Sequence, residues 1–173
     1  MPKIGCGNKI AQISEDGTTM SAGGYDEDEF PPPGVHFLEA GVYCIEDFLL
    51  GGGASLEGGG VTFVLDGQLK WSGNAHVNLS APMTGDNAGL LIYASIENKN
   101  RMVIVSDSFS KLQGTILMPG AEIHLNGGDS EIGYHSQIIG YRIESNGQSN
   151  IVIKYKDDQN YDTYNMPEIQ LTQ

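Results

Sequence analysis

The stretch Val61 to Pro82, VTFVLDGQLKWSGNAHVNLSAP, decides the fold expected of the whole chain. Val61, Phe63 and Leu65 alternate with Thr62, Val64 and Asp66, and the pairs Leu69/Trp71 and Val77/Leu79 keep the same period of two. That is the period of a half-buried strand, because successive side chains of an extended backbone point to opposite faces. Gly and Asn punctuate the runs, so each strand is short and none can make a sheet alone.

The phrase recurs downstream. Gly67, Leu69, Trp71 and Gly73 are matched by Gly120, Ile123, Leu125 and Gly127, and again by Gly140, Ile143, Ser145 and Gly147, with one extra residue after the first Gly in both later copies. Ile123 and Ile143 stand twenty positions apart, inside the period range of stacked repeat architectures. A coil of strand, turn, strand, turn cannot bury its inward side chains alone. It must lie on a neighbour so that equivalent strands pair in parallel and their apolar residues form one column.

Composition agrees with one all-β body. The chain has 173 residues, enough for a single domain with a sizeable core, with 24 Gly and only 8% aromatic residues. No window keeps apolar residues at i, i+3, i+4 and i+7 for more than a turn, so helices should be few and short. Twenty-two acidic residues oppose nine basic ones, a formal charge of −13 that repels nucleic acid and anionic lipid. Residues 1–60 alone hold ten acids against Lys3 and Lys9. No run is long enough for a membrane span, and Met1 to Ile10 lacks the apolar core of a secretory signal.

Three regions are expected. Residues 1–34 form an irregular acidic N-terminal cap or linker, since Tyr25 to Phe30 followed by Pro31-Pro32-Pro33 suits neither a helix interior nor a central strand. Residues 35–155 form the coils. Strands are expected at 36–38, 42–45, 89–94, 102–105, 114–118, 121–125, 137–139, 142–144 and 151–155, besides those of the opening stretch. Gly51 to Gly53 and Gly58 to Gly60 bracket Ala54 to Glu57 as corners, and Asp129 to Tyr134 reads as a loop. Gly89 to Ala94, GLLIYA, suits a strand buried on both faces. Residues 156–173 form a polar tail or a last strand.

Three groups of phrases resemble one family. GVTFVLDG, SGNAHVNLSAP and AGLLIYA in residues 60–94 are similar to the C-terminal β-rich region of TadG-like proteins of the Flp (Tad) pilus-assembly group. So are Gly114 to Pro119 with Ile123 to Gly127, and Ser136 to Gly140, while Glu39 to Cys44 resembles that family's G-x-Y-C lead-in to the coils. The resemblance spans most of residues 35–155 and implies a right-handed parallel β-helix in an extracytoplasmic, pilus-associated or cell-surface protein. It carries no catalytic residues. This chain departs from the pattern in lacking an N-terminal membrane helix.

Candidate chemistry is sparse. Cys6 and Cys44 are either one disulfide closing the N-terminal segment, which would imply an oxidising compartment, or two thiols. His36, His76, His124 and His135 occur singly, without transition-metal spacing. Asp26, Glu27, Asp28 and Glu29 are oxygen donors of the kind calcium takes, but no EF-hand or nonapeptide calcium repeat frames them, and a solvated acidic run is the simpler reading. The Gly runs lack a following Gly-Lys-Ser/Thr, and no Gly-x-Ser-x-Gly is present.

Stacked β-coils can carry glycan-cleaving carboxylates on an exposed face. The charged residues in or beside the expected strands are Asp66, Lys70, Arg101, Asp107, Glu122, Arg142 and Glu144. Of these, Glu122 and Glu144 hold similar places in their repeats and could stack as a carboxylate pair, against the simpler reading of two solvated carboxylates. Trp71, Tyr93, Tyr134 and Tyr141 could form a sugar-stacking strip, although the alternation of Trp71 with Leu69 equally suits core packing. Asn78-Leu79-Ser80 is a glycosylation sequon, of consequence only in a eukaryotic secretory route.

The expected function is a non-catalytic extracytoplasmic structural or adhesive module, able to self-assemble through its end coils. Its expected partners are pilus or cell-surface proteins, further copies, or glycans, with no cofactor other than calcium in view. The alternatives are a carbohydrate-active β-helix enzyme of the polysaccharide lyase or hydrolase kind, and a cytoplasmic polymer-forming β-helix of bactofilin type.

Overall fold

A computed structural model describes residues 4–26, 29–72, 75–106, 111–127, 132–135, 137–146, 151–153 and 161. The described residues are all-β, without a helix. Two strands come first, β1 (Thr19–Met20) and β2 (Gly23–Tyr25). The first coil is β3 (Phe37–Leu38), β4 (Gly41–Ile45) and β5 (Phe48–Leu50), and the second is β6 (Ser55–Gly59), β7 (Val61–Leu65) and β8 (Leu69–Trp71). The third is β9 (His76–Ser80), β10 (Leu90–Ala94) and β11 (Met102–Ser106). In the fourth, β12 (Lys111–Gln113) leads into one long strand, β13 (Thr115–Gly127). β14 (Ile132–His135) and β15 (Ile138–Asn146) make the fifth, and β16 (Ile151–Ile153) pairs beyond it.

Every pairing between named strands is parallel, in a seven-stranded sheet β1-β3-β6-β9-β12-β14-β16 and a nine-stranded sheet that holds the rest. The chain is a β-solenoid of about five turns. With strands about 4.8 Å apart, five turns rise roughly 24 Å, so the stack is a short block rather than a long rod.

The inward columns follow the repeat read from the sequence, with one addition. Leu69, Met102, Ile123 and Ile143 lie in register, as do Trp71, Ile104, Leu125 and Ser145. The expected ladder from Leu69 to Ile123 therefore has an extra rung at Met102. Residues 82–89 and 95–101 lengthen the third coil, which hides it from a search at a twenty-residue spacing. A further column runs Tyr43, Phe63, Ile92, Ile116 and Ile138. The core aliphatics and rings on these columns are almost wholly buried from Met20 to Leu125.

The first three coils have three strands each where two were expected. The connection between the two strands that each contributes to the larger sheet is built from polar side chains. Asp47 accepts hydrogen bonds from Gln68 N–H and Gln68 Nε2, both 2.8 Å, and Asn98 Nδ2 donates to the carbonyls of Leu65 (3.2 Å) and Gly67 (2.8 Å). Neighbouring coils approach so closely here that a Cβ on Gly67 would lie 2.6 Å from the Glu46 carbonyl, and one on Gly120 would lie 2.6 Å from that of Asn98. Only glycine fits at either place.

Other expectations are corrected. Gly58 and Gly59 are not corner residues, because they lie in strand β6 (Ser55–Gly59), and the loop expected at Asp129 to Tyr134 includes the start of β14. Phe48–Leu50 and Lys111–Gln113 are strands too short to show periodicity. The N-terminal segment is more regular than expected: β1 and β2 pair with the first coil, and residues 9–12 run along their free edges. Ala11 N–H donates to Gly24 O (2.9 Å), Gly24 N–H to Lys9 O (2.7 Å) and Ser21 N–H to Gln12 O (2.8 Å). An open parallel edge would recruit other chains, and this covering removes that liability at the N-terminal end. Phe30 plugs the same end, fully buried against Phe48 at 5.1 Å and against Tyr43 and Phe63 at 5.9 Å between ring centroids.

Candidate functional site

The two cysteines are joined. Tyr43 and Ile45 point inward on β4, so Cys44 points out, where it bonds to Cys6 with Cα atoms 5.9 Å apart. The bridge fastens the N-terminal segment to the outer face of the larger sheet.

Further along that sheet the outward positions gather charge. In β13, Ala121, Ile123 and Leu125 fill the core, which turns Glu122 and His124 outward, and the same alternation turns Arg142 and Glu144 outward on β15. Parallel register places Glu122 beside Arg142 and His124 beside Glu144. Arg101, immediately before β11, reaches His124 from the other side. Its guanidinium lies 3.0 Å from His124 Nδ1, while Glu144 Oε2 is 3.3 Å from the same nitrogen and Glu122 Oε2 is 3.8 Å from Nε2. Arg142 completes the group, donating to Glu144 Oε1 at 2.6 Å.

A guanidinium only donates and a carboxylate only accepts, so Nδ1 of His124 accepts when it engages Arg101 and donates when it engages Glu144. His124 is only 5% exposed, and its Nε2 is buried without a hydrogen-bond partner. Two guanidiniums and two carboxylates balance in formal charge. Glu122 and Glu144 do not hold equivalent places in their repeats, since Glu122 is opposite Arg142 and Glu144 opposite His124; both reach one face, one coil apart, with an imidazole between them instead of carboxylate against carboxylate. The arrangement ties three successive coils together on their outer side.

The other candidates do not converge. Asp66, Lys70, His36 and His76 are exposed at separate places, and His135 lies on β14. Asp107, Glu27 and Asp28 lie outside the described residues, and Asp26 and Glu29 are exposed. Among the described residues no group of three His, Cys, Asp or Glu could hold a metal ion. Trp71 and Tyr93 are buried and Tyr141 is exposed on β15, so these three do not form a sugar-stacking strip.

A different surface feature lies on the smaller sheet. Leu38 and Leu79 face the core, so Phe37, Glu57 and Asn78, in register across β3, β6 and β9, face out, with Gly59 and Ser80 side by side in the next outward row. Together with Leu38 and Gly58 they line a shallow groove of about 300 Å³. Phe37 is 49% exposed, one of several large apolar side chains that reach solvent. Two signals for it were present in the sequence. Phe37 and Leu38 are adjacent, so one of them had to face solvent, and Gly58 to Gly60 could be a strand floor as well as a corner.

Comparison of the chain with family models, with curated proteins and with solved structures finds no match in any of the three. No helix among the described residues is long and apolar enough to cross a membrane.

Proposed function

We propose that this chain is a non-catalytic structural and binding module of the cell exterior, a stiff solenoid block that presents broad sheet faces to other molecules. The observation that carries the reading is the Cys6–Cys44 bond, which holds the N-terminal cover on the first coil. Such bonds persist in oxidising surroundings, where a covered and stapled fold withstands exposure. The pilus-associated setting draws its support from the resemblance to TadG-like proteins. The covered N-terminal edge argues against growth of a filament by strand pairing at that end, and the bonded cysteines argue against the cytoplasmic polymer.

The test is binding with turnover measured in parallel. Protein folded with its disulfide should bind to sheared surface or pilus fractions of Flp-pilus-bearing bacteria and release no new reducing ends from acidic or neutral glycans. Failure to bind any surface fraction would end the proposal.

One arrangement favours the second reading, a carbohydrate-active enzyme: Glu122 and Glu144 both approach His124 on a single face. Two features weigh against it. The Arg142 ion pair engages Glu144, and burial keeps His124 from a substrate. Glycan cleavage that disappears in both Glu122→Gln and Glu144→Gln would reverse the order of the two readings.

A further inference from the structure

The groove on the smaller sheet fits one class of ligand better than others. Its outward wall on β3 is the half-exposed Phe37 ring, and its opposite wall is Asn78 and Ser80 on β9, two strand spacings or about 10 Å away. Gly59 forms the floor between them. A Cβ there would meet only Ser80 Oγ at 3.7 Å, so nothing but the missing side chain keeps the space open. Glu57 and Asn78 stand side by side in one row, offering two planar groups to a ligand, carboxylate oxygens that accept and an amide that both donates and accepts. Among the described residues no cation lines the groove, and Lys111 stands beside Asn78 in the same outward row, on β12.

We propose that this groove is a subsite for an uncharged sugar ring. Vicinal hydroxyls of a pyranose pair with planar carboxylate and amide groups, and its C–H face lies against the electron-rich face of a phenyl ring. A volume of about 300 Å³ is at the small end of ligand pockets, the size for a short stretch of glycan. Glu57 inside the groove and the formal charge of −13 on the chain repel uronates and sulfated glycans. The inference rests on the reading of the chain as a surface-binding module and names the ligand class.

The test titrates the disulfide-bonded protein by calorimetry and saturation-transfer NMR with cellotetraose, chitotetraose and mannotetraose as neutral probes, tetragalacturonate as the anionic probe and choline as the cationic one. At least one neutral probe should bind, at least tenfold more tightly than tetragalacturonate. Phe37→Ala and Gly59→Val should each weaken it at least tenfold. Gly59→Val fills the floor on an exposed strand position with no positive φ, so its thermal midpoint should match the parent, which separates loss of the site from loss of the fold. The proposal falls if no neutral probe binds, if choline or tetragalacturonate binds best, or if neither variant weakens binding. Binding of the parent protein to surface fractions without binding of any neutral probe would overturn the subsite and leave the surface-module reading standing. Groove-dependent binding of a neutral probe without surface binding would do the reverse.

Discussion

Trp71 shows what a single position in the ladder is worth. It sits between Leu50 and Ile104 on the inner face, 1% exposed, with Phe48 at 5.2 Å between ring centroids, and its indole N–H is buried without an acceptor. Trp71→Ala should lower stability by about 3–5 kcal/mol, because neighbouring coils hold the cavity open. Trp71→Phe should cost less than half of that, since removing an unpaired buried donor returns about 1–3 kcal/mol. Urea midpoints at constant slope measure both. Tyr43 carries a pH dependence. Its hydroxyl, directed at the carbonyls of Met20 (2.9 Å) and Glu39 (2.7 Å), is held well above the ordinary tyrosine range by burial first and then by the negative charge of Glu39. The unfolded chain releases this proton near its usual pH of about 10 while the folded chain keeps it. The Tyr43 contribution is therefore complete below that pH and declines as pH rises above it. Denaturant midpoints from pH 8 to 11 should fall more steeply for the parent than for Tyr43→Phe. The alternation in Val61 to Leu65 announced that Phe63 is core, whereas the depth of Tyr43 depends on residues far off in the chain.

At the scale of an element, the N-terminal cover is the test case. Composition made it an irregular acidic cap or linker, but β1 and β2 within it pair with the first coil and its Phe30 is a core residue that touches four other rings. No local pattern marks it, since Asp26 to Glu29 precede it and three prolines follow. Phe30→Ala should cost about 3–5 kcal/mol and act regionally. Amide exchange should speed up at Gly24 and Leu49, which donate to Lys9 O and Phe30 O, while Val61–Leu65 stays protected. Equal loss of protection in both regions would show that the cover and the coils unfold as one unit.

For the whole molecule, parallel stacking makes most contacts distant in sequence, and the disulfide acts on that cost. It closes a loop across a separation of 38 residues, so chain entropy assigns it about 4 kcal/mol. Reduction, or the double variant Cys6→Ser/Cys44→Ser, should lower the denaturation midpoint by that order. A loss below about 1 kcal/mol would mean that the covering strands hold without it. The sequence by itself determined the all-β class, the parallel stacking and the inward columns, because an apolar period of two, cut by Gly into units near twenty residues, buries its surface in few other ways. It raised a stacked Glu122 and Glu144 pair only as an alternative to two solvated carboxylates, and register sets the two apart, Glu122 opposite Arg142 and Glu144 opposite His124. Only the tertiary structure decided that His124 lies between them, since Arg101 reaches it from a coil whose insertions conceal its place in the repeat. The groove at Phe37 belongs to the same class of feature. It depends on the register among three strands, and register is set by how the core columns fit together, not by any one strand's own pattern.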